Sequence, residues 1–307
     1  MERHCPVCHG SQQTAFADEH IDPRKVGSLT YASRKPPEFM CLRLVRCTSC
    51  DLVYAPSPPT ESFLQAAYHV ADFDSAPEAA AAAKTYAGEL TPHLASLRLR
   101  DLAVDVGAGS GVLLPWLLKQ GFKKVIGIEP SRAAIDAAPE EVRSMLQEGM
   151  FSSSMLEGET PSLICSFMTL EHLADPGQFA ATAHGLLEPG GAIAVIVHNW
   201  RAPINRLLGL RSPIMDVEHL QLFSPQALRK LLEDQGFEQI TLKSIRNSYP
   251  LRYWLRLTPL PGSFKKRLLT MLENAGLADR HLSLNVGNIL AVGIKPNKGT
   301  AQAQGRA

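Results

Sequence analysis

Three sets of residues in this chain have types and spacings that can do chemistry. The first is a run of close glycines, Gly107, Gly109 and Gly111, between the apolar segment Leu102–Val106 and a second apolar stretch, 112–118. Glycine permits a tight turn and lets the backbone approach a ligand with no Cβ in the way. A further apolar run, Lys124–Glu129, ends in a carboxylate 22 positions beyond Gly107. A carboxylate there can accept from both hydroxyls of a ribose. The second set is Cys5-Pro-Val-Cys8, whose spacing returns as Cys47-Thr-Ser-Cys50. Two such knuckles can present four thiolates tetrahedrally to Zn²⁺, which leaves no open position for catalysis. The alternatives are two unrelated thiol pairs or a redox motif, but a redox pair should open a helix in a βαβ unit and neither pair does. The third set is Glu171-His172, just past the apolar segment 162–167. A neutral imidazole near pH 7 suits proton removal, and its neighbour's carboxylate can orient it. The pair can equally serve only to hold a strand-to-helix loop.

These residues need elements to position them. From Leu102 onward apolar strand patterns alternate with helical ones, which implies a parallel sheet covered on both faces. In such sheets ligands sit beyond the carboxyl ends of the strands. Ser110 and Pro115 suit the start of a helix over 112–118, and Ser131 caps another to 138. A third strand is predicted at 142–146, a fourth at 162–167 and a helix at 179–187. A fifth strand at 192–197 is apolar on both faces and puts His198 and Trp200 beside the site. The stretch 201–215 is irregular. Ser224 caps a helix over 225–235, which Gly236 ends. Strand patterns follow at 237–245 and 286–294. The forty residues between them, 246–285, include Tyr249, Arg252, Tyr253 and Trp254, and a helix over 264–272 with Lys265, Lys266 and Arg267 outward. So long an insertion at a sheet edge can be a lid, a dimer contact or a membrane-surface patch. Near the N-terminus the loop between the knuckles, with Tyr31, Arg34, Lys35, Pro36 and Pro37, reads as irregular. A strand at 52–54 and a helix at 61–68 follow, and Ser75 caps an alanine-rich helix toward Leu97. Cys41 and Cys165 read as packing cysteines, and His4 and His9 as exposed.

Val104-Asp-Val-Gly-Ala-Gly-Ser-Gly111 with Gly127-Ile-Glu-Pro-Ser131 resembles the cofactor site of class I S-adenosylmethionine (SAM) methyltransferases. A dinucleotide oxidoreductase would show Gly-x-Gly-x-x-Gly, and this loop has Val112 at that place. The resemblance implies a Rossmann-like α/β fold, a seven-stranded sheet whose last strand is antiparallel. It implies SAM contacts from Asp105, Gly107, Ala108, Gly109, Glu129 and Pro130, and from Phe167 and Thr169 after the fourth strand. Relatives often hold the adenine amino group with an acid near residue 150. This chain has Met150 and Phe151, so apolar stacking is the substitute. The knuckles, the following Asp-Leu-Val-Tyr and Tyr68 are similar to the N-terminal zinc module of certain sugar C-methyltransferases and other small-molecule enzymes. That likeness makes Tyr68 an active-site candidate, a helix-end packing role being the alternative. Leu-Glu-His-Leu-x-Asp-Pro, from Leu170 to Pro176, matches a motif of small-molecule methyltransferases and brings His172 near the adenine or sulfonium if it is not a base. Asp216-Val-Glu-His resembles the segment that lies near the acceptor, making Glu218 and His219 a second acid/base pair.

The implied organisation is a zinc-ribbon-like module over 1–72, a methyltransferase domain over 73–297 with 246–285 as a lid-like insertion, and a disordered tail over 298–307. The function implied is SAM-dependent O- or C-methylation of a small metabolite. Its rivals are an rRNA base methyltransferase that grips RNA through the zinc module, and a SAM-binding scaffold without catalysis. A net charge of +1 on 307 residues gives no global electrostatic case for nucleic acid or an anionic membrane. No apolar stretch has the length of a membrane span. The N-terminus lacks the apolar core of a signal peptide, and six cysteines without an export signal favour a reducing compartment, hence the cytoplasm.

Overall fold

The computed structural model describes residues 2–27, 30–32, 35, 37–71 and 76–297. The expected Ser75 cap, Arg34, Pro36 and the tail from 298 lie outside the described residues. The chain opens with three short strands, β1 (Gln13–Ala17), β2 (Leu44–Cys47) and β3 (Val53–Tyr54). Helices α1 (Glu61–His69) and α2 (Ala76–Leu90) follow. The loop between the knuckles, expected to be irregular, contains β1, which pairs antiparallel with β2. The pairing puts Gln13 opposite Cys47, so the strand is held by its pairing with the second knuckle.

The alternating region begins with β4 (Leu102–Val106), α3 (Leu114–Lys119), β5 (Lys124–Glu129) and α4 (Arg132–Asp136). Next come α5 (Glu140–Arg143), β6 (Leu146–Glu148), β7 (Leu163–Phe167), α6 (Pro176–Leu186) and β8 (Ala192–His198). The helix predicted over 112–118 starts two residues late. Gly111 at φ +69° keeps the chain in a turn there, and Ser110 caps nothing. The strand predicted at 142–146 is instead α5 followed by β6. Pro139 opens that helix and Glu140 and Glu141 fill its first turn, where carboxylates favour the N-terminal dipole. Val142 is buried under Gly111, where a Cβ would come within 2.5 Å of its methyl carbon.

Past β8 the chain forms α7 (Pro203–Leu208), β9 (Gln221–Leu222), α8 (Pro225–Asp234) and β10 (Glu238–Ser244). Ser224 caps α8 by accepting from Ala227, and Gly236 follows it at φ +83°. The insertion is a hairpin of β11 (Asn247–Pro250) and β12 (His281–Leu284) that encloses α9 (Leu251–Leu257) and α10 (Gly262–Asn274). Of the three cations expected to face outward on α10, Lys265 does not: it is half-buried and donates to the Arg256 carbonyl. The chain returns to the sheet as β13 (Asn288–Ile294).

The main sheet runs β10-β13-β8-β7-β4-β5-β6, with β13 antiparallel to both neighbours and the rest parallel. This is the seven-stranded Rossmann-like arrangement of methyltransferases. Strand β8 is apolar and buried along Ala192 to Val197, as a strand covered on both faces must be. The chain order reverses between β4 and β7, and the carboxyl ends of strands at such a switch point are where ligands bind. A second sheet, β1-β2-β3-β9, is antiparallel, and its last strand comes from residue 221 onward. Among the described residues no helix is long and apolar enough to cross a membrane.

Candidate active site and metal centre

The two knuckles bring Cys5, Cys8, Cys47 and Cys50 together, all four sulfurs within 4.8 Å of one another. The Cys5–Cys50 and Cys8–Cys47 sulfur distances are both 3.5 Å. Tetrahedral zinc with Zn–S bonds of about 2.3 Å requires sulfurs about 3.8 Å apart, so this donor set fits it. The hydrogen bond between Cys5 and Cys50 lowers the Cys5 thiol and raises that of Cys50. Gly10 leaves room for the turn: a Cβ there would lie 3.4 Å from the Cys8 sulfur. His4 and His9 are exposed, and Cys41 and Cys165 are buried apart from the cluster. The residue after the second knuckle, Asp51, was not singled out by its sequence. It accepts from Arg46 and, through both carboxylate oxygens, from Arg201 just beyond β8. Its carbonyl accepts from the Trp200 indole. Burial pushes the Asp51 carboxyl up, but the Arg201 and Arg46 hydrogen bonds outweigh this and hold it below the usual range.

A cavity of about 770 Å³ opens at the switch point, within the range of small-molecule sites. Its cofactor end is the turn after β4. Gly107, Gly109 and Gly111 all take positive φ, and a Cβ on Gly107 would stand 2.2 Å from the Thr169 hydroxyl. Nothing lies within 4 Å of a Cβ on Gly109, so that backbone faces open space. Glu129 ends β5 and accepts from the backbone N–H groups of Gly109 and Ser131, at 2.7 and 2.8 Å. Ala108, Pro130, Met150, Phe151, Phe167 and Thr169 line the same end. Ser110 adds a buried hydroxyl without a partner among the described residues. An orphaned hydroxyl, a carboxylate and a Cβ-free turn together fit a ribose-bearing cofactor. Asp105 does not line the cavity. It sits beneath the turn, where burial first and Glu129 second raise its carboxyl to about 7. Met168, between the two loops, is held at φ +59°, uncommon for a residue with a Cβ.

The acid/base end shows a crossed arrangement. The sequence pairs each histidine with the glutamate before it. In the structure the carboxylate facing His172 is Glu218, at 3.5 Å from Nδ1. Glu171 also fails to line the cavity: it turns inward, accepts from the His198 N–H at 2.6 Å and leaves its other oxygen unpartnered among the described residues. Burial raises Glu171 to about 7 and lifts Glu218 well above the carboxylate range, with Asp216 adding to it. His219 donates from Nδ1 to the Ile214 carbonyl, and burial holds it down to about 3. Burial likewise holds His172 neutral. The imidazoles of His172, His219 and His198 stand in a row, with ring centroids 4.9 and 5.4 Å apart. Tyr68 stands edge-on to His172, and its hydroxyl is buried with no partner among the described residues. His172, Glu218 and His219 present ligand-capable atoms within 4.8 Å of one another, also a set of the kind that binds a divalent cation. Lys35, buried, bridges Asp216 at 2.8 Å and Glu38 at 2.9 Å. Burial pushes this lysine down, and Glu218 and Asp216 outweigh it.

The two pairs meet because β9 ties them. Leu220 N–H donates to the Glu171 carbonyl, and the Gln221 amide donates to the carbonyls of Leu170 and Leu173. A methyltransferase domain profile matches residues 79–242, just over half of the chain. The chain belongs to this family. Its glycine turn, acid-ended β5 and strand order are those of the class I, SAM-dependent methyltransferases. The ubiquinone biosynthesis O-methyltransferase of Caulobacter vibrioides is 31% identical over 102 residues, 31% of this chain and 40% of that protein. The ribosomal protein L11 methyltransferase of Vibrio cholerae is 30% identical over 93 residues, 30% of this chain and 32% of that protein. The matched segment thus spans at most about two fifths of these curated relatives' length. A SAM-dependent methyltransferase structure from Archaeoglobus fulgidus superposes with a TM-score of 0.48 at 12% identity, covering 69% of this chain and 94% of that one.

Proposed function

We propose that this methyltransferase family member moves a methyl group from SAM to an oxygen or carbon atom of a small-molecule acceptor. The observation that carries the reading is the meeting of His172, Glu218 and His219 in the cavity that also opens on Gly107, Gly109 and Glu129. Bound SAM supplies a methyl group activated by a sulfonium. In this reading Glu129 accepts from the ribose hydroxyls, Gly107, Ala108 and Gly109 let the backbone approach, and Met150 and Phe151 offer apolar faces to the adenine. Pro130, Phe167 and Thr169 close the sides, and Asp105 acts from beneath by supporting the turn.

His219 is the base. The Ile214 carbonyl can only accept, so Nδ1 carries the ring proton and Nε2 holds the lone pair. Glu218, kept protonated by burial, faces His172 at 3.5 Å and contributes a hydrogen-bonding group rather than a charge. His172 positions Glu218, and the Tyr68 hydroxyl is a donor for the acceptor oxygen. The O-methyltransferase relatives support an oxygen acceptor. Lys35 is the one cation lining the cavity among the described residues, against Glu129, Asp216 and Glu218. Such a wall offers phosphates a single cation, already paired with Glu38 and Asp216, which weighs against an rRNA substrate.

The four cysteines hold a structural zinc. Residues 1–72 form the zinc module and 73–297 the catalytic domain. Metal-ligating thiols and six unbridged cysteines suit a reducing cytoplasm. Incubating the protein with methyl-labelled SAM and a metabolite extract tests the proposal. Label is expected in a low-mass product. Label in RNA or protein alone, or none with SAM bound, overturns it.

A further inference from the structure

The cavity has two unlike ends, and the sheet order fixes which is which. The turn after β4 and the acid of β5 lie on one side of the switch point. The insertion 246–285 joins β10 to β13, the other side, beyond β8. The cavity wall it supplies is therefore on the acceptor side, next to His198, whose ring bonds Asn288 at the start of β13.

That wall is apolar. Leu251, Trp254, Leu257, Leu268, Leu272 and Leu284 line it, and no charged side chain of 246–285 does. Two of its polar side chains are turned into the backbone, the Trp254 indole donating to the Leu282 carbonyl and the Thr258 hydroxyl to the Leu255 carbonyl, while Asn247, where the hairpin begins, keeps a buried Oδ1 without a partner among the described residues. Helix α10 buries none of its residues fully. Leu268 and Leu272, four apart on one face, look instead into open cavity, while Lys266 and Arg267 stand in solvent. The polar end stands in contrast. There the Tyr68 hydroxyl and His172 Nδ1 are buried without hydrogen-bond partners among the described residues.

An apolar face held open beside unsatisfied polar groups matches a molecule with the same division. Resting on the methyltransferase reading, we infer that the acceptor is amphipathic: a polar, proton-bearing head against His172, Glu218 and His219, and a hydrocarbon chain along α9 and α10. Apolar burial is worth about 0.8 kcal/mol per methylene, a roughly four-fold gain in affinity for each one. The insertion thus sets substrate class, and the histidine row sets the atom that reacts.

The test uses the full chain loaded with S-adenosylhomocysteine, and straight-chain primary alcohols from hexanol to dodecanol as probes, followed by calorimetry. Affinity is expected to climb roughly four-fold per methylene and then level off once the wall is filled. Leu268→Asp and Leu272→Asp should flatten the climb. Both residues are partly exposed, so the variants should fold, and unchanged affinity for S-adenosylhomocysteine checks this. Leu268→Phe should make the levelling come at a shorter chain while hexanol still binds. Affinity independent of chain length in the wild type overturns the inference, as does a climb that all three variants retain. Failure of the wild type to bind S-adenosylhomocysteine would instead overturn the methyltransferase reading beneath it.

Discussion

Gly107 is the residue at which one added carbon has the largest expected effect. Its φ of +77° disfavours any side chain, and a Cβ would collide with Thr169. Gly107→Val should therefore abolish SAM binding, whereas Glu129→Ala should weaken it by roughly 1–3 kcal/mol through lost charge-assisted hydrogen bonds. Calorimetry giving wild-type affinity for either variant would refute this placement of the cofactor. His219→Ala should cut turnover by about 10²–10⁴-fold, the usual worth of a general base, with SAM affinity nearly unchanged. Because burial holds His219 near 3, it is neutral at every ordinary assay pH. The acid limb of the pH–rate profile should thus lie well below the usual histidine range. Full turnover by the alanine variant at saturating acceptor would end the assignment. At this scale the positive-φ glycine turn, the acid that ends β5 and the meeting of the four cysteines were legible, since spacing alone places them. The crossing of His172 to Glu218 was not. Adjacent residues suggest a pair, but neighbours in sequence point to different sides, and only the β9 tie brings the two segments together.

At the scale of elements, the knuckles, β5 and the helices capped by Ser131 and Ser224 matched the sequence reading, because each has a local cause. Segments whose shape depends on a distant partner did not match. β1 depends on its pairing with the knuckle strand β2, and residues 142–146 on a proline start and the packing of Val142 under a glycine. Lys265 turned inward to donate to the Arg256 carbonyl, a partner its helical spacing does not reveal. The metal centre carries a prediction of the same kind. Freshly purified protein should hold one zinc per chain by elemental analysis. Cys47→Ser should lose it and melt the N-terminal sheet, since the binding energy of a structural zinc is folding energy. SAM affinity should persist, because the turn after β4 is held by hydrogen bonds to Ile128 and Glu129 of β5. A zinc-free wild-type preparation with all six thiols reactive would contradict the assignment.

For the whole molecule, a parallel sheet covered on both faces followed from alternating patterns and its seven strands from the family resemblance, while the joint with the N-terminal sheet left no signal in periodicity. That joint concentrates buried ionisable groups, and stability should respond to pH accordingly. Glu171 is raised to about 7 from an ordinary 4.5, so the folded state keeps its proton where the unfolded chain has lost it. Its contribution is whole below about 4.5 and disappears as pH rises through 7. Glu171→Gln does not titrate, and its amide oxygen can still accept from the His198 N–H. Denaturant melts should show this variant gaining on wild type between pH 4.5 and 7.5, by up to roughly 3 kcal/mol. A constant difference across that window would show that Glu171 titrates normally. Strand β9 has another consequence. It completes a sheet begun by the first fifty residues, and Arg3 reaches the Gln221 side chain and the Leu220 and Ala174 carbonyls. Heredity therefore cannot treat the amino-terminal segment as a detachable cassette. A chimera that takes residues 1–72 from a cousin without its matching 216–222 inherits half a seam, so the two stretches must diverge in step, each substitution on one side answered on the other.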